Sequence, residues 1–304
     1  MNRPDLSCEI AGIRFKNPVI TASGTFGFGR EYQGFYDISQ LGGVCVKGLT
    51  LKPRQGNAPP RIAETPSGIL NSVGLQNPGV EAFISEELPW LRRFDTVVIA
   101  NIAGNTVQEY CEMAEKVCGA GVDMVELNIS CPNVKEGGIA FGVSPVQTTK
   151  VVSEARRHCS KPLIVKLTPN VSDITEPARA AEAAGADALS LINTIQGMRI
   201  DVATRRPVLN NVIGGLSGPA VRPVAVRMVW QVGSAVKLPI IGMGGISCGE
   251  DAVEMMLAGA TAVSVGTACF LNPAAPLAIR DGIESYLASY GFKSVSDIVK
   301  KVVI

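Results

Sequence analysis

Three junctions in the 304-residue chain repeat one pattern, and that repetition limits the fold more than any other feature. Gly119-Ala120-Gly121-Val122-Asp123-Met124-Val125, Ala184-Gly185-Ala186-Asp187-Ala188-Leu189 and Ala258-Gly259-Ala260-Thr261-Ala262-Val263 each run from a helix end, through glycine, into an apolar strand. Glycine closes a helix because it takes the left-handed backbone without a Cβ penalty. Strands that are apolar at every position are covered on both faces, so these units are parallel βα repeats.

Eight such strands can be read, at 18–22, 43–47, 96–100, 124–127, 163–165, 188–192, 239–243 and 262–265. Eight βα units in about 260 residues are the count and size of an α/β fold of the TIM (β/α)8 barrel type, and 1–304 is read as one domain. A doubly wound open sheet offers no reason for eight units, and no Gly-x-Gly-x-x-Gly follows the first strand. A short hairpin is expected over 8–15, a helix between the first two strands, and another helix opened by Pro78 and running to about 93. Long loops are expected over the C-terminal face at 50–75, 134–142 and 196–219, and loops of that length usually carry function.

Composition removes several alternatives. Apolar residues make up 46% of the chain, aromatics only 5%, and glycines number 32, which suits α/β with many tight turns. Lysine and arginine (28) nearly balance aspartate and glutamate (27), with no basic stripe, so neither nucleic acid nor an anionic membrane surface is indicated. The eight cysteines (8, 45, 111, 118, 131, 159, 248 and 269) form no Cys-x-x-Cys pair, and with His158 the single histidine, no metal site is expected. His158 is read as a surface residue. No basic-then-apolar leader opens the chain, which points to the cytoplasm. Residues 255–279 carry no charge and are long enough to span a bilayer, but Gly259, Gly266, Asn272, Pro273 and Pro276 divide them into buried helix, strand and loop.

Barrel active sites lie at the C-terminal strand ends. Those ends carry Ser23, Lys47, Asn101, Asn128, Lys166, Asn193 with Thr194, Gly244 with Gly245, and Gly266 with Thr267. The glycines after strands seven and eight suit a phosphate held on backbone N–H groups. Lysines and asparagines in the same mouth suit a planar heterocycle rich in carbonyls, so flavin mononucleotide (FMN) meets both requirements. Cys131, just past the fourth strand in Asn128-Ile129-Ser130-Cys131-Pro132-Asn133, is by position either a small buried hydrophobe or a catalyst.

That segment, together with Asn71-Ser72-Val73-Gly74-Leu75-Gln76-Asn77-Pro78-Gly79, Gly214-Gly215-Leu216-Ser217-Gly218 and Ile241-Gly242-Met243-Gly244-Gly245-Ile246, resembles the dihydroorotate dehydrogenases over nearly the whole chain. The cysteine resembles that of the soluble class 1 enzymes. Phe26-Gly27-Phe28-Gly29, Leu75 to Gly79 and Met243 resemble the NAD-linked type 1B catalytic subunit.

The resemblance implies oxidation of (S)-dihydroorotate to orotate in pyrimidine biosynthesis, with Cys131 taking the C5 proton while hydride passes from C6 to FMN. It implies FMN contacts from Ser23, Lys47, Gly48, Asn101, Asn128, Lys166, Ile192, Gly218, Gly244, Gly245, Gly266 and Thr267. Substrate contacts are implied for Lys47, Asn71, Ser72, Val73, Gly74, Leu75, Asn128, Asn193 and Thr194, with Asn133 also facing substrate. Gly48 departs from the alanine often found there in type 1B relatives. Lys47 can face the substrate carboxylate and stabilise negative charge on reduced flavin. A free thiol has a pKa of about 8.5, so activity should rise with pH unless nearby cations lower it. The resemblance further implies a homodimer core in a heterotetramer with a partner subunit carrying FAD and a [2Fe–2S] cluster. Alternatives are a fumarate-linked type 1A enzyme, a dihydropyrimidine dehydrogenase-like flavin barrel, and a non-catalytic barrel scaffold.

Overall fold

Side chains of a strand alternate between its two faces, and in a closed sheet those faces are the barrel interior and the helix layer. The computed structural model, which describes residues 3–130 and 139–303, follows that rule. Its strands are β1 (Val19–Thr21), β2 (Gly43–Cys45), β3 (Val97–Ile102), β4 (Met124–Asn128), β5 (Leu163–Lys166), β6 (Ala188–Leu191), β7 (Ile240–Met243) and β8 (Ala262–Val265). All pair in parallel and in chain order, and β8 closes on β1. Val125 and Leu127 of β4 pack toward the helices, whereas Met124 joins Ile20, Ile99, Ile164 and Ala188 inside the barrel.

Helices α1 (Val107–Ala120), α2 (Pro145–His158), α3 (Thr175–Ala183), α4 (Arg222–Ala235), α5 (Gly249–Ala258) and α6 (Ala275–Tyr290) follow β3 to β8 in turn. The repeated junctions take the expected form: Gly121, Gly185 and Gly259 have φ of 90°, 96° and 132°. The uncharged stretch at 255–279 divides as read, into the end of α5, β8, a helical turn at Ala268–Leu271 and the start of α6. Among the described residues no helix is long and apolar enough to cross a membrane.

Four expectations need correction. Between β1 and β2 stands only a 3-10 turn, Ile38–Gln40, because Gly24, Gly27 and Gly29 take positive φ and interrupt any helix. The helical run before β3 starts after Gly79 rather than at Pro78, as Val80–Ala82, Phe83–Glu87 and Leu88–Leu91. Its middle segment is a wider π turn placed just before Pro89, which has no N–H to donate to the preceding turn. Of the loop expected at 134–142, Ile139–Gly142 is helical, and 134–138 lie outside the described residues.

Fourth, the loops at 50–75 and 196–219 are not wholly irregular but carry short strands. Ile62–Thr65, Gly68–Asn71, Ile213–Ser217 and Ile195–Met198 form a four-stranded antiparallel sheet, with Gly215 opposite Asn71 and Ser217 opposite Ile69. Glycine permits the close approach: a Cβ on Gly215 would overlap the Thr194 hydroxyl, and one on Gly68 would overlap the Ser217 carbonyl.

The opposite end of the barrel is stoppered by the expected hairpin, Cys8–Ile10 paired with Ile13–Phe15. Ile10 and Phe15 are fully buried against Ile20, Cys45 and Ile99. Phe15→Ala is therefore expected to cost about 3–5 kcal/mol of unfolding free energy, read from urea denaturation, because strands locked in a closed sheet cannot collapse into the void. A loss under about 1 kcal/mol would show that the hairpin is not part of the barrel core.

Candidate active site

At the C-terminal strand ends, beneath the four-stranded sheet, lies a cavity of about 430 Å³, within the range of small-ligand sites. The ends of β1, β2, β4 and β5 contribute Ser23, Lys47 with Gly48, Asn128 and Lys166. Ile192, Asn193 and Thr194 follow β6, Gly244 and Gly245 follow β7, and Gly266 and Thr267 follow β8. The overlying sheet and its connections add Asn71, Val73, Gly74, Leu75 and Gly218. The fold thus brings into one cavity residues spread from Ser23 to Thr267.

Two of the expected residues do not line it. Asn101 is fully buried below Asn128. Ser72 is also fully buried, its N–H donating to the Arg61 carbonyl and its own carbonyl accepting from Asn57. Cys131 and Asn133 lie outside the described residues. Gly48 sits close under the site: a Cβ there would meet Asn101 Oδ1 at 2.9 Å and Leu75 Cδ2 at 3.2 Å. Leu75 itself has a φ of 57°, and Asn77 holds that turn by donating to its carbonyl at 2.7 Å while accepting from Gly79 N at 2.8 Å.

One end of the cavity is walled by backbone. Gly218, Gly244 and Gly245 have φ of 104°, 124° and 78°, and a Cβ on Gly245 would meet Arg222 Cβ at 2.7 Å and the Gly218 carbonyl at 2.9 Å. Thr267 Oγ1 donates to Ser217 Oγ at 2.9 Å beside them. The Arg222 guanidinium is engaged by Asp251 and Glu254, so an anion at this end would be met by N–H and hydroxyl groups. These residues fit FMN: a wall without side chains can take its phosphate, and the lysine and asparagine floor its carbonyl-bearing ring.

Below that floor is a group with no role assigned from sequence. Period two carries β4 inward at Met124, Glu126 and Asn128, so Glu126 points into the barrel one step beneath Asn128. Its Oε1 accepts from Asn101 Nδ2 at 2.5 Å and from the Cys45 thiol at 3.2 Å, and its Oε2 accepts from Ser190 Oγ at 2.7 Å. Lys166 Nζ stands 3.7 Å from Oε1 and donates to Ser23 Oγ at 3.3 Å. Burial is the largest influence and pushes the Glu126 pKa up, but Lys166, Ser190, Asn101 and Cys45 together bring it below the ordinary carboxylate value. Burial, then the Glu126 charge, raises the Cys45 pKa well above that of a free thiol, which keeps it a donor. The signal for Glu126 was present in the sequence: an acid inside an apolar strand, two residues before a strand-end asparagine.

A family model described as "Dihydroorotate dehydrogenase" matches residues 5–287. Among curated proteins, "Dihydroorotate dehydrogenase B (NAD(+)), catalytic subunit" of Alkaliphilus oremlandii (strain OhILAs) is 58% identical over 302 residues, covering 99% of this chain and all of that protein. Proteins of the same description from Geobacter sp. (strain M21) and Thermoanaerobacter sp. (strain X514) are 57% and 55% identical, covering 98% and 97% of this chain and 98% of each relative.

Glu126→Gln removes the charge that faces buried Lys166, and about 3 kcal/mol of stability at neutral pH is expected to go with it. Because folding lowers the Glu126 pKa below its ordinary 4.5, the unfolded chain binds that proton more readily. This contribution is complete above about pH 4.5 and is lost as pH falls through the folded value. Denaturant midpoints from pH 7 to 3 should therefore drop less steeply below about pH 4.5 in the variant than in the wild type. Parallel curves would mean that folding leaves the Glu126 pKa unchanged.

Proposed function

The chain belongs to the dihydroorotate dehydrogenase family, and on that premise we propose that it is the catalytic subunit of an NAD-linked type 1B enzyme oxidising (S)-dihydroorotate to orotate in pyrimidine biosynthesis. The observation that carries this reading is the convergence of Lys47, Asn71, Asn128, Lys166, Asn193 and Thr194 with the glycine wall in one cavity.

FMN is the resident cofactor in this proposal, one per chain, and residues 1–304 form its single binding domain. Gly218, Gly244, Gly245, Gly266 and Thr267 would hold its phosphate, and Ser23, Lys47, Gly48, Asn128, Lys166 and Ile192 its ring, with Asn101 acting through Asn128. When bound, FMN supplies the acceptor for the hydride that leaves C6 of dihydroorotate.

The remaining work belongs to the chain. The Lys47 ammonium pairs with the substrate carboxylate and orients the ring. Asn71, Asn128, Asn193 and Thr194 hold its polar edges, while Val73, Gly74 and Leu75 close over it and exclude water. Cys131, three residues past Asn128, receives the C5 proton. Lys166 is positioned at the floor beside Glu126, which is itself immobilised by three donors. A free thiol has a pKa of about 8.5, so with a thiol as base, and no nearby cation lowering that value, the rate rises with pH across the neutral range.

The relatives are named catalytic subunits, which supports a second subunit. In this reading the chain forms a homodimer core within a heterotetramer, located in the cytoplasm, and the partner carries the FAD and [2Fe–2S] cluster that pass electrons to NAD.

Anaerobic mixing of the FMN-loaded chain with dihydroorotate should bleach the flavin, and dihydrouracil should not. Cys131→Ser is expected to retain flavin and to slow that bleaching by orders of magnitude, about 10²-fold or more; a wild-type rate would remove the base assignment. NAD reduction should appear only when an iron–sulfur FAD partner is co-expressed. Fumarate reduction by the chain alone would instead assign it to type 1A.

A further inference from the structure

Five hydrogen bonds run in one direction from the cavity rim to the buried carboxylate. Thr194 N–H donates to Asn193 Oδ1 at 2.8 Å, and Asn193 Nδ2 donates to Ser130 Oγ at 2.7 Å. Ser130 Oγ donates to Asn128 Oδ1 at 3.0 Å, Asn128 Nδ2 to Asn101 Oδ1 at 3.3 Å, and Asn101 Nδ2 to Glu126 Oε1 at 2.5 Å.

The direction is imposed from both ends. A backbone N–H only donates, and an ionised carboxylate only accepts. The Ser130 N–H adds a third one-way group, donating to Asn128 Oδ1 at 3.3 Å. Turning over any amide between them would set donor against donor or acceptor against acceptor inside protein, where an unmade bond costs most. Asn101, Asn128 and Ser130 are all buried. Asn128 and Asn193 line the cavity. Asn128 Oδ1 accepts from both the N–H and the hydroxyl of Ser130, and Asn193 Oδ1 accepts from the Thr194 N–H. Each amide gives one of its two N–H groups to the chain, so its second is a donor for a ligand. Lys47 and Lys166, in the same cavity, can only donate.

We propose that Ser130 and Glu126 are positioning residues that lock Asn128 and Asn193 as donors, so that the cavity selects a ring edged with carbonyl oxygens over the same ring edged with amino groups. This deepens the functional reading above and rests on it, since orotate presents two ring carbonyls and a carboxylate. It assigns specificity to two side chains, neither of which lines the cavity.

The test is calorimetric titration of the FMN-loaded chain with orotate and with its two analogues in which one ring carbonyl is replaced by an amino group. Wild-type protein should bind orotate about 100-fold or more tightly than at least one analogue. Ser130→Ala should narrow that ratio at least about tenfold, because Asn193 is then held by the Thr194 N–H alone and turns over at the cost of one bond rather than two, and Ser130→Thr, which keeps the hydroxyl, should restore it. Glu126→Leu should narrow the ratio as well, whereas Glu126→Gln, whose amide oxygen still accepts, should keep it. Should Ser130→Ala weaken orotate and both analogues by equal factors, the residue is merely structural and the proposal falls. It falls equally if Gln and Leu at 126 behave alike, because charge and not acceptor direction would then matter. Wild-type protein that binds no orotate would overturn the functional reading and this inference together.

Discussion

A carboxylate enclosed by protein is tolerated only when its lone pairs are met and its charge is answered, and Glu126 satisfies both conditions inside the barrel. Asn101, Cys45 and Ser190 supply donors, and Lys166 supplies the charge. Each comes from a different strand, β3, β2, β6 and β5, so the parallel register that sets Asn101 opposite Glu126 and Ser190 opposite Lys166 is what completes the cluster. Above this layer the interior is a polar cavity; below it, Ile10, Phe15, Ile20, Ile99 and Met124 form a dry plug. The barrel changes from core to site within one pleat of its strands.

Over the mouth, two insertions separated by about half the chain meet as one sheet, and that meeting roofs the cavity. The arrangement accounts for glycines that do little for local structure. Gly215 and Gly68 let strands and the Thr194 segment approach more closely than any side chain would allow, and Gly244 with Gly245 leaves backbone exposed at the anion end. Donors on the floor and bare backbone at one end suit an acceptor-rich ligand carrying a phosphate.

Much of this was legible beforehand. The eight barrel strands fall within a residue or two of their expected limits, because continuous apolar runs between glycine-capped helices have few other solutions. The strand-end residues Ser23, Lys47, Asn128, Lys166, Asn193 and Thr194 do meet in one cavity, since a closed parallel barrel brings every C-terminal end to one face. Less legible was the roof, whose strands are short and interrupted by glycine and whose partners lie far apart in the chain. The expected helix between β1 and β2 gave way to turns at Gly24, Gly27 and Gly29.

What the sequence determined by itself was therefore periodic and local: parallel βα units, their number, and the polar residues that end their strands. Only the tertiary structure decided that Asn101 stands beneath the cavity rather than in it, that Ser72 turns away, and that Glu126 anchors a one-way run of hydrogen bonds through three asparagines. The reason is physical. Periodicity reports which face of a strand a residue occupies, whereas the direction of a hydrogen bond depends on what stands opposite, and in a barrel that neighbour comes from another strand, 25 residues away for Asn101 and Glu126 and 64 for Ser190 and Glu126.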